Sequence, residues 1–198
     1  MKTSPEALMG IAFRSFLRKG YHQTRMIDLV EASGLSKGAL HHHFPRKSDL
    51  LQACISFLLG NFLPGLTPLP GHSLPEFTRI YVQRYANFLE DLTRQEIPHS
   101  SYFAFVLSLA PEHSRQLRER YESLATNLAG LYEQDVREGR MASGLDGNLL
   151  ADQLIALIEG QAMLLALTSE LKAQQTKTPL RPNFERLIDG FFAPLVKP

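Results

Sequence analysis

The stretch Thr24–Leu51, TRMIDLVEASGLSKGALHHHFPRKSDLL, decides the fold. It reads as two short helices joined by a sharp turn, followed by the start of a third. Gly34 stands where that turn needs a residue without a β-carbon. Ser36 is placed to cap the next helix, its hydroxyl accepting from a free amide of the first turn. The helix it opens, Lys37–His43, turns Leu40 and Phe44 inward and is otherwise short and polar, so its outer edge needs a partner outside the chain. Thr24 reads as the cap of the preceding helix, which carries Met26, Ile27, Leu29, Val30 and Ala32. Pro45 ends the pair.

Working outward, Ser4-Pro5-Glu6 opens a first helix with a cap, a proline at its first position and an acidic first turn; Gly20 ends it after Arg18 and Lys19. A longer helix over about 47–63 follows the pair, with Leu50, Cys54, Phe57, Leu58, Asn61 and Phe62 on one face. The Pro/Gly-rich run 64–72 breaks the chain. Beyond it Ser73 and Glu76 form a capping box before the stripe Leu74, Phe77, Tyr81, Tyr85, Phe88 and Leu92. Further helices are expected over about 97–109, from Pro111 to Gly139, from Asp146 to about Lys172, and from Pro182 onward. No stretch alternates with period 2. The expected chain is all-α, about nine helices: a head at 1–50 and a body at 51–198, connected by helix 47–63.

With 198 residues and 44% apolar composition, the chain can bury a core of its own. A single cysteine excludes an internal disulfide framework. Residues 1–20 carry Arg14, Arg18 and Lys19 and do not read as a signal peptide. The apolar stretches are interrupted by Glu, Gln or Asn, so no membrane span is expected and a cytoplasmic setting is the default. The net charge of +1 conceals an asymmetry. Residues 1–53 hold eight basic and four acidic residues, and the remainder carries the opposite balance. A basic head on an acidic body fits a polyanion partner.

Double-stranded DNA is the partner this head suits. Ser36, Lys37, Gly38 and Ala39 would face the major groove, where small residues let the backbone approach base edges and Lys37 reaches guanine acceptors or phosphate. Thr24, Arg25 and Lys47 stand at helix starts suited to phosphates. His41 and His42 are further phosphate candidates. Consecutive helical side chains diverge by about 100°, so His41-His42-His43 cannot converge on one metal ion.

Gly20-Tyr21, Thr24, Asp28-Leu29, the run Ala32 to Leu40, His42-His43-Phe44, Lys47 and Leu50 together resemble the TetR family of bacterial transcriptional repressors. The resemblance covers roughly residues 6–52; in the body it extends only to helix number, length and order. It implies a homodimer that binds a palindromic operator and releases it when a small molecule enters the C-terminal domain. The sequence departs from the family at His41, where a phosphate-touching tyrosine is usual, and at Val30 and Arg46.

The body holds an aromatic-rich set suited to a hydrophobic or aromatic effector. Tyr81, Tyr85, Phe88 and Phe103 would line the pocket, with Asn127, Gln161 and Glu159 as orienting polar groups. Leu154, Ile158, Leu165, Phe184, Ile188 and Phe191, on the last two helices, are expected at the dimer interface, forming a four-helix bundle with a second copy. No nucleophile elbow, phosphate loop or cofactor motif is present, so neither an enzyme nor a cofactor is expected. Two alternatives remain open: a DNA binder without sequence preference, and a helical carrier or enzyme whose head is a relic.

Overall fold

The computed structural model describes residues 4–62, 67–171 and 180–197, and their side chains except at 57–62, 110–114, 116, 117 and 169–171. Its first four helices are α1 Pro5–Lys19, α2 Met26–Ser33, α3 Lys37–His43 and α4 Lys47–Phe62. The body is α5 Leu74–Arg94, α6 His99–Arg137, α7 Gly147–Leu171 and α8 Leu180–Phe192.

Local chemistry sets the ends of the head helices. Ser4 Oγ accepts from the Ala7 amide at 3.2 Å, and the Gly20 amide donates to Phe16 O at the other end of α1. Gly34 closes α2 at φ +67°, a conformation that disfavours any residue with a β-carbon. Ser36 Oγ caps α3 by accepting from Ala39 N at 3.2 Å, as expected. The cap of α2 differs from expectation. Arg25 rather than Thr24 precedes the helix, and its amide donates to Asp28 Oδ2 at 2.9 Å. The start of α4 repeats this device, with the Arg46 amide donating to Asp49 Oδ2 at 3.1 Å. Leu8, Ala12, Phe16, Leu29, Leu40, Leu50 and Cys54 are buried in the head's share of the core. Burial pushes the Cys54 thiol up to about 12, so it is an inert packing group. The apolar face expected at Phe57, Leu58 and Phe62 lies outside the described side chains, as do residues 63–66 of the expected break.

In the body, Ser73 and Glu76 form the expected capping box at the start of α5. The two helices expected at 97–109 and 111–139 run on as one, α6. Proline at 111 removes one backbone donor, but Leu107, whose carbonyl loses its partner, is 66% exposed, so water is available to that oxygen. Helix α8 starts two residues before Pro182. Its packing partner is chiefly α5, and α7 lies along α6. Buried Asp135 near the end of α6 holds the layers together: one carboxylate oxygen accepts from the Leu74 amide at 2.8 Å, the other from Arg140 Nε at 2.8 Å. The C-terminus returns to the same corner, where Ala142 N donates to Leu195 O and Lys197 N to Arg140 O.

Helix α7 has two apolar faces. Leu150, Leu154, Ile158, Ala162 and Ala166 lie in the core, whereas Leu149, Met163, Leu164 and Leu167 are 46–58% exposed. Gln153, Ala156 and Gly160 join the exposed set at helical spacing, giving a continuous outer stripe with small residues at its centre. Leu154, Ile158, Phe184 and Ile188 are therefore buried within their own chain, which corrects their expected place at a dimer interface; Leu165 and Phe191 are half-buried. Periodicity shows that both faces are apolar without showing which the chain covers itself. Despite its interruptions, Gly147–Thr168 is long and apolar enough, by length and composition alone, to cross a membrane, with mean hydropathy 1.5, a test that core helices of globular folds also pass. About a third of that window is buried inside the fold.

Candidate nucleic-acid interface

Helix α3 has one exposed and one buried side. Lys37 and Gly38 are exposed at its first turn, Ala39 is half-buried, and Leu40 beneath them anchors the helix at 0% exposure. A β-carbon on Gly38 would meet no protein atom within 4 Å. Nothing within the chain requires glycine there, although glycine in a helix costs about 1 kcal/mol relative to alanine. The open space there would admit a close approach from outside. His42 is exposed, while His41 donates Nδ1–H to the Pro45 carbonyl at 3.2 Å. That bond leaves His41 Nε2 as its outward atom.

The expected phosphate clamp is rearranged. Thr24 is fully buried, and its hydroxyl is within bonding distance of the Gly20 and Ser15 carbonyls at 2.9 and 3.3 Å. It fastens the α1–α2 turn and does not reach a ligand. Lys47 is also committed inward. Its Nζ donates to the carbonyls of Tyr21 (2.9 Å) and Thr24 (3.0 Å), with a longer contact to His22 (3.4 Å), and lies 4.4 Å from the Tyr21 ring centroid. An ammonium has three donors, and these contacts use them. Phosphate binding by Thr24 and Lys47 is accordingly corrected to a structural role: the two residues set the angle at which α1 meets α2.

Of the cations at these two helix starts, Arg25 and Arg46 face outward, with side chains 75% and 79% exposed. Each is tethered by a single carboxylate three residues on, Asp28 at 3.0 Å and Asp49 at 3.2 Å. Asp28 is held below the usual carboxylate range, first by the Arg25 side chain and then by the Arg25 amide. An Arg-x-x-Asp start thus holds a guanidinium at each of two helix N-termini flanking α3, where free amides and the helix dipole favour phosphate. The residue sequence reasoning left out was Arg46. The signal for it was there in the repeat of Arg-x-x-Asp at 25–28 and 46–49.

These assignments separate two cations experimentally. Arg46→Ala is expected to reduce the slope of log affinity against log salt by about 0.9 for each phosphate that Arg46 neutralises. Lys47→Met is expected to leave that slope unchanged and to destabilise the head by roughly 2 kcal/mol, because buried carbonyls lose a charged donor. Salt-titrated binding and thermal melting of both variants check this. An equally reduced slope in Lys47→Met would return Lys47 to the DNA surface.

In the body, the structure joins part of the expected effector set. Tyr85 OH donates to Glu159 Oε2 at 2.9 Å, and Tyr81 OH lies 3.4 Å from Oε1. Phe88 packs edge-on to Tyr102 at 5.0 Å, and Tyr102 on Phe103 at 5.3 Å. Gln161 is two residues beyond Glu159 and so points about 200° around α7, away from this cluster; Asn127 is about 120° from the direction of Tyr121 on α6. Burial raises Glu159 above the usual carboxylate range, against the opposing pull of the two tyrosine hydroxyls. Burial likewise drives Tyr81 and Tyr85 well above the ordinary tyrosine value.

Helix α6 and the end of α5 touch the head. Phe105 lies 5.7 Å edge-on from Phe13 and stacks at 6.3 Å on Phe16, and Arg18 Nη2 donates to Gln95 O at 2.7 Å. Beside this junction, a cleft of about 330 Å³ is lined by Tyr21, His22, Ser101 and Ser108, among others. One segment, Tyr102 to Phe105, therefore contacts both the aromatic cluster and α1.

Residues 8–54 match the sequence profile described as bacterial regulatory proteins, tetR family. The nucleoid occlusion factor SlmA of Vibrio cholerae is 25% identical over 164 residues, covering 78% of this chain and 79% of that protein. Among solved structures, a TetR transcription regulator from Haloarcula marismortui superposes with TM-score 0.74 at 16% identity, over 98% of each chain. A transcriptional regulator from Saccharomonospora viridis, solved in complex with choline, does so with TM-score 0.72 at 20% identity, again over 98% of each. Those two likenesses establish the all-helical fold and nothing of the ligand. Over residues 8–54 the chain thus carries a head similar to that of the TetR family of DNA-binding regulators, on an all-helical fold shared with solved members of that family.

Proposed function

We propose that the protein is a ligand-released repressor that acts as a homodimer on a palindromic operator and is not an enzyme. The observation that carries the DNA reading is the outward edge Lys37–Gly38, whose glycine has open space around it and no internal reason to be glycine. Two copies would pair through the outer stripe of α7, where Gly160 and Ala156 let helices approach closely. Pairing would cover the apolar surface that one chain leaves exposed and set two α3 helices about 34–36 Å apart, the spacing of successive major grooves. An effector in the Tyr81–Tyr85–Glu159 cluster would favour a different spacing. The change would travel along α4, whose start adjoins the DNA surface, and along α6 through Phe105 to α1.

A footprint on DNA flanking the protein's own gene tests this reading. The expected result is a protected inverted repeat that survives competitor DNA, with Leu164→Asp abolishing both the footprint and the dimer seen by sedimentation. Protection spread evenly along the fragment would contradict it. The SlmA relatives support a second reading, in which the chain binds DNA as a nucleoid occlusion factor. That reading keeps DNA binding and gives no regulatory response to a small molecule.

A further inference from the structure

Glu159 is out of keeping with its surroundings. It lies midway along α7, a helix otherwise apolar enough to resemble a membrane span, and is partly buried. Two tyrosine hydroxyls from α5 reach its carboxylate. Tyr102 and Tyr121 on α6 stand close enough to feel its charge. Among the described residues no lysine, arginine or histidine forms an ion pair with it; burial and the two hydroxyls are what act on it.

An ionised carboxylate offers about four lone-pair positions, and two tyrosines satisfy about half of them. Tyrosine ring faces are electron-rich and attract cations when desolvated. Arg120 stands close enough to Tyr81 to feel its charge, but among the described residues no cation pairs with Glu159 itself, so the carboxylate lacks a direct positive partner. A neutral ligand would leave that charge unpaired in a low-dielectric site, whereas a cation would offset its desolvation. Tyr121 is 41% exposed.

We propose that Glu159 with Tyr81, Tyr85, Tyr102 and Tyr121 forms the recognition site for an organic cation, a quaternary ammonium or a protonated amine. This rests on the reading that the body takes an effector, and it names that effector's chemical class. Glu159 supplies the charge, and the tyrosines supply ring faces and hold the carboxylate in position.

Calorimetry on the full chain without DNA tests it, using benzyltrimethylammonium and its uncharged carbon isostere, neopentylbenzene. The ammonium is expected to bind at least about tenfold more tightly than the isostere, a difference of about 1.4 kcal/mol. Glu159→Gln, which keeps shape and removes charge, is expected to erase that preference. Tyr85→Phe, with the ring retained, is expected to weaken it only a few-fold, and melting curves identify any variant that fails to fold. Equal binding of the two probes, binding of neither, or a preference unchanged in folded Glu159→Gln would overturn the proposal. A separate DNA-release assay distinguishes the two readings: a cation that binds through Glu159 but leaves DNA bound supports the site and refutes ligand-released repression.

Discussion

Gly38→Leu is expected to leave the fold intact, even slightly more stable, while weakening operator binding by about a hundredfold or more. The stability side follows from helix propensity, since leucine is better than glycine by nearly 1 kcal/mol in an exposed helical position and its β-carbon would meet no protein atom within 4 Å. The binding side follows from where the side chain would go. It would project from the first turn of α3 into the space the backbone needs to approach base edges, and each base-edge interaction it disrupts costs about 1–3 kcal/mol. Thermal melting and fluorescence anisotropy on the footprinted fragment measure the two sides independently. Affinity within about threefold of the unmodified protein would remove α3 from the groove.

Asp135→Ala is expected to be the most damaging single change in the body, lowering stability by about 3 kcal/mol. The carboxylate is 0% exposed and accepts the buried Leu74 amide at the first residue of α5, a donor with no acceptor within its own helix. Removing it leaves that amide orphaned and releases Arg140, so the start of α5, the end of α6 and the returning C-terminus loosen together. For a chain of this size the expected fall in melting temperature is on the order of 10 °C. Asp135→Asn, which retains one acceptor oxygen, should lose less. A melting temperature unchanged in Asp135→Ala would show that water replaces the carboxylate at that corner.

The head was legible because its signals are local. Ser36, Gly34 and Pro45 act within a turn of where they stand, so the limits of α3 follow from them directly, and so does its outward edge. Thr24 and Lys47 were misread because their roles depend on distant backbone. A hydroxyl at a helix start and an ammonium at the next one both look outward in sequence, but the fold turns them onto the carbonyls of residues 15–24. Pro111 misled in a related way: proline at a first helical position and proline within an exposed stretch of one long helix leave the same mark on the sequence.

By itself, then, the sequence determined the helical class, the capped helix α3 with its small exposed edge, and the aromatic character of the body. These depend on hydrogen bonds and periodicities spanning a few residues. Only the tertiary structure decided which cations stay free for DNA, which face of α7 the chain covers, and that Glu159 meets Tyr81 and Tyr85 across more than 70 residues of sequence. Each of those outcomes depends on which helices pack together, and an apolar stripe carries no record of the partner it will meet.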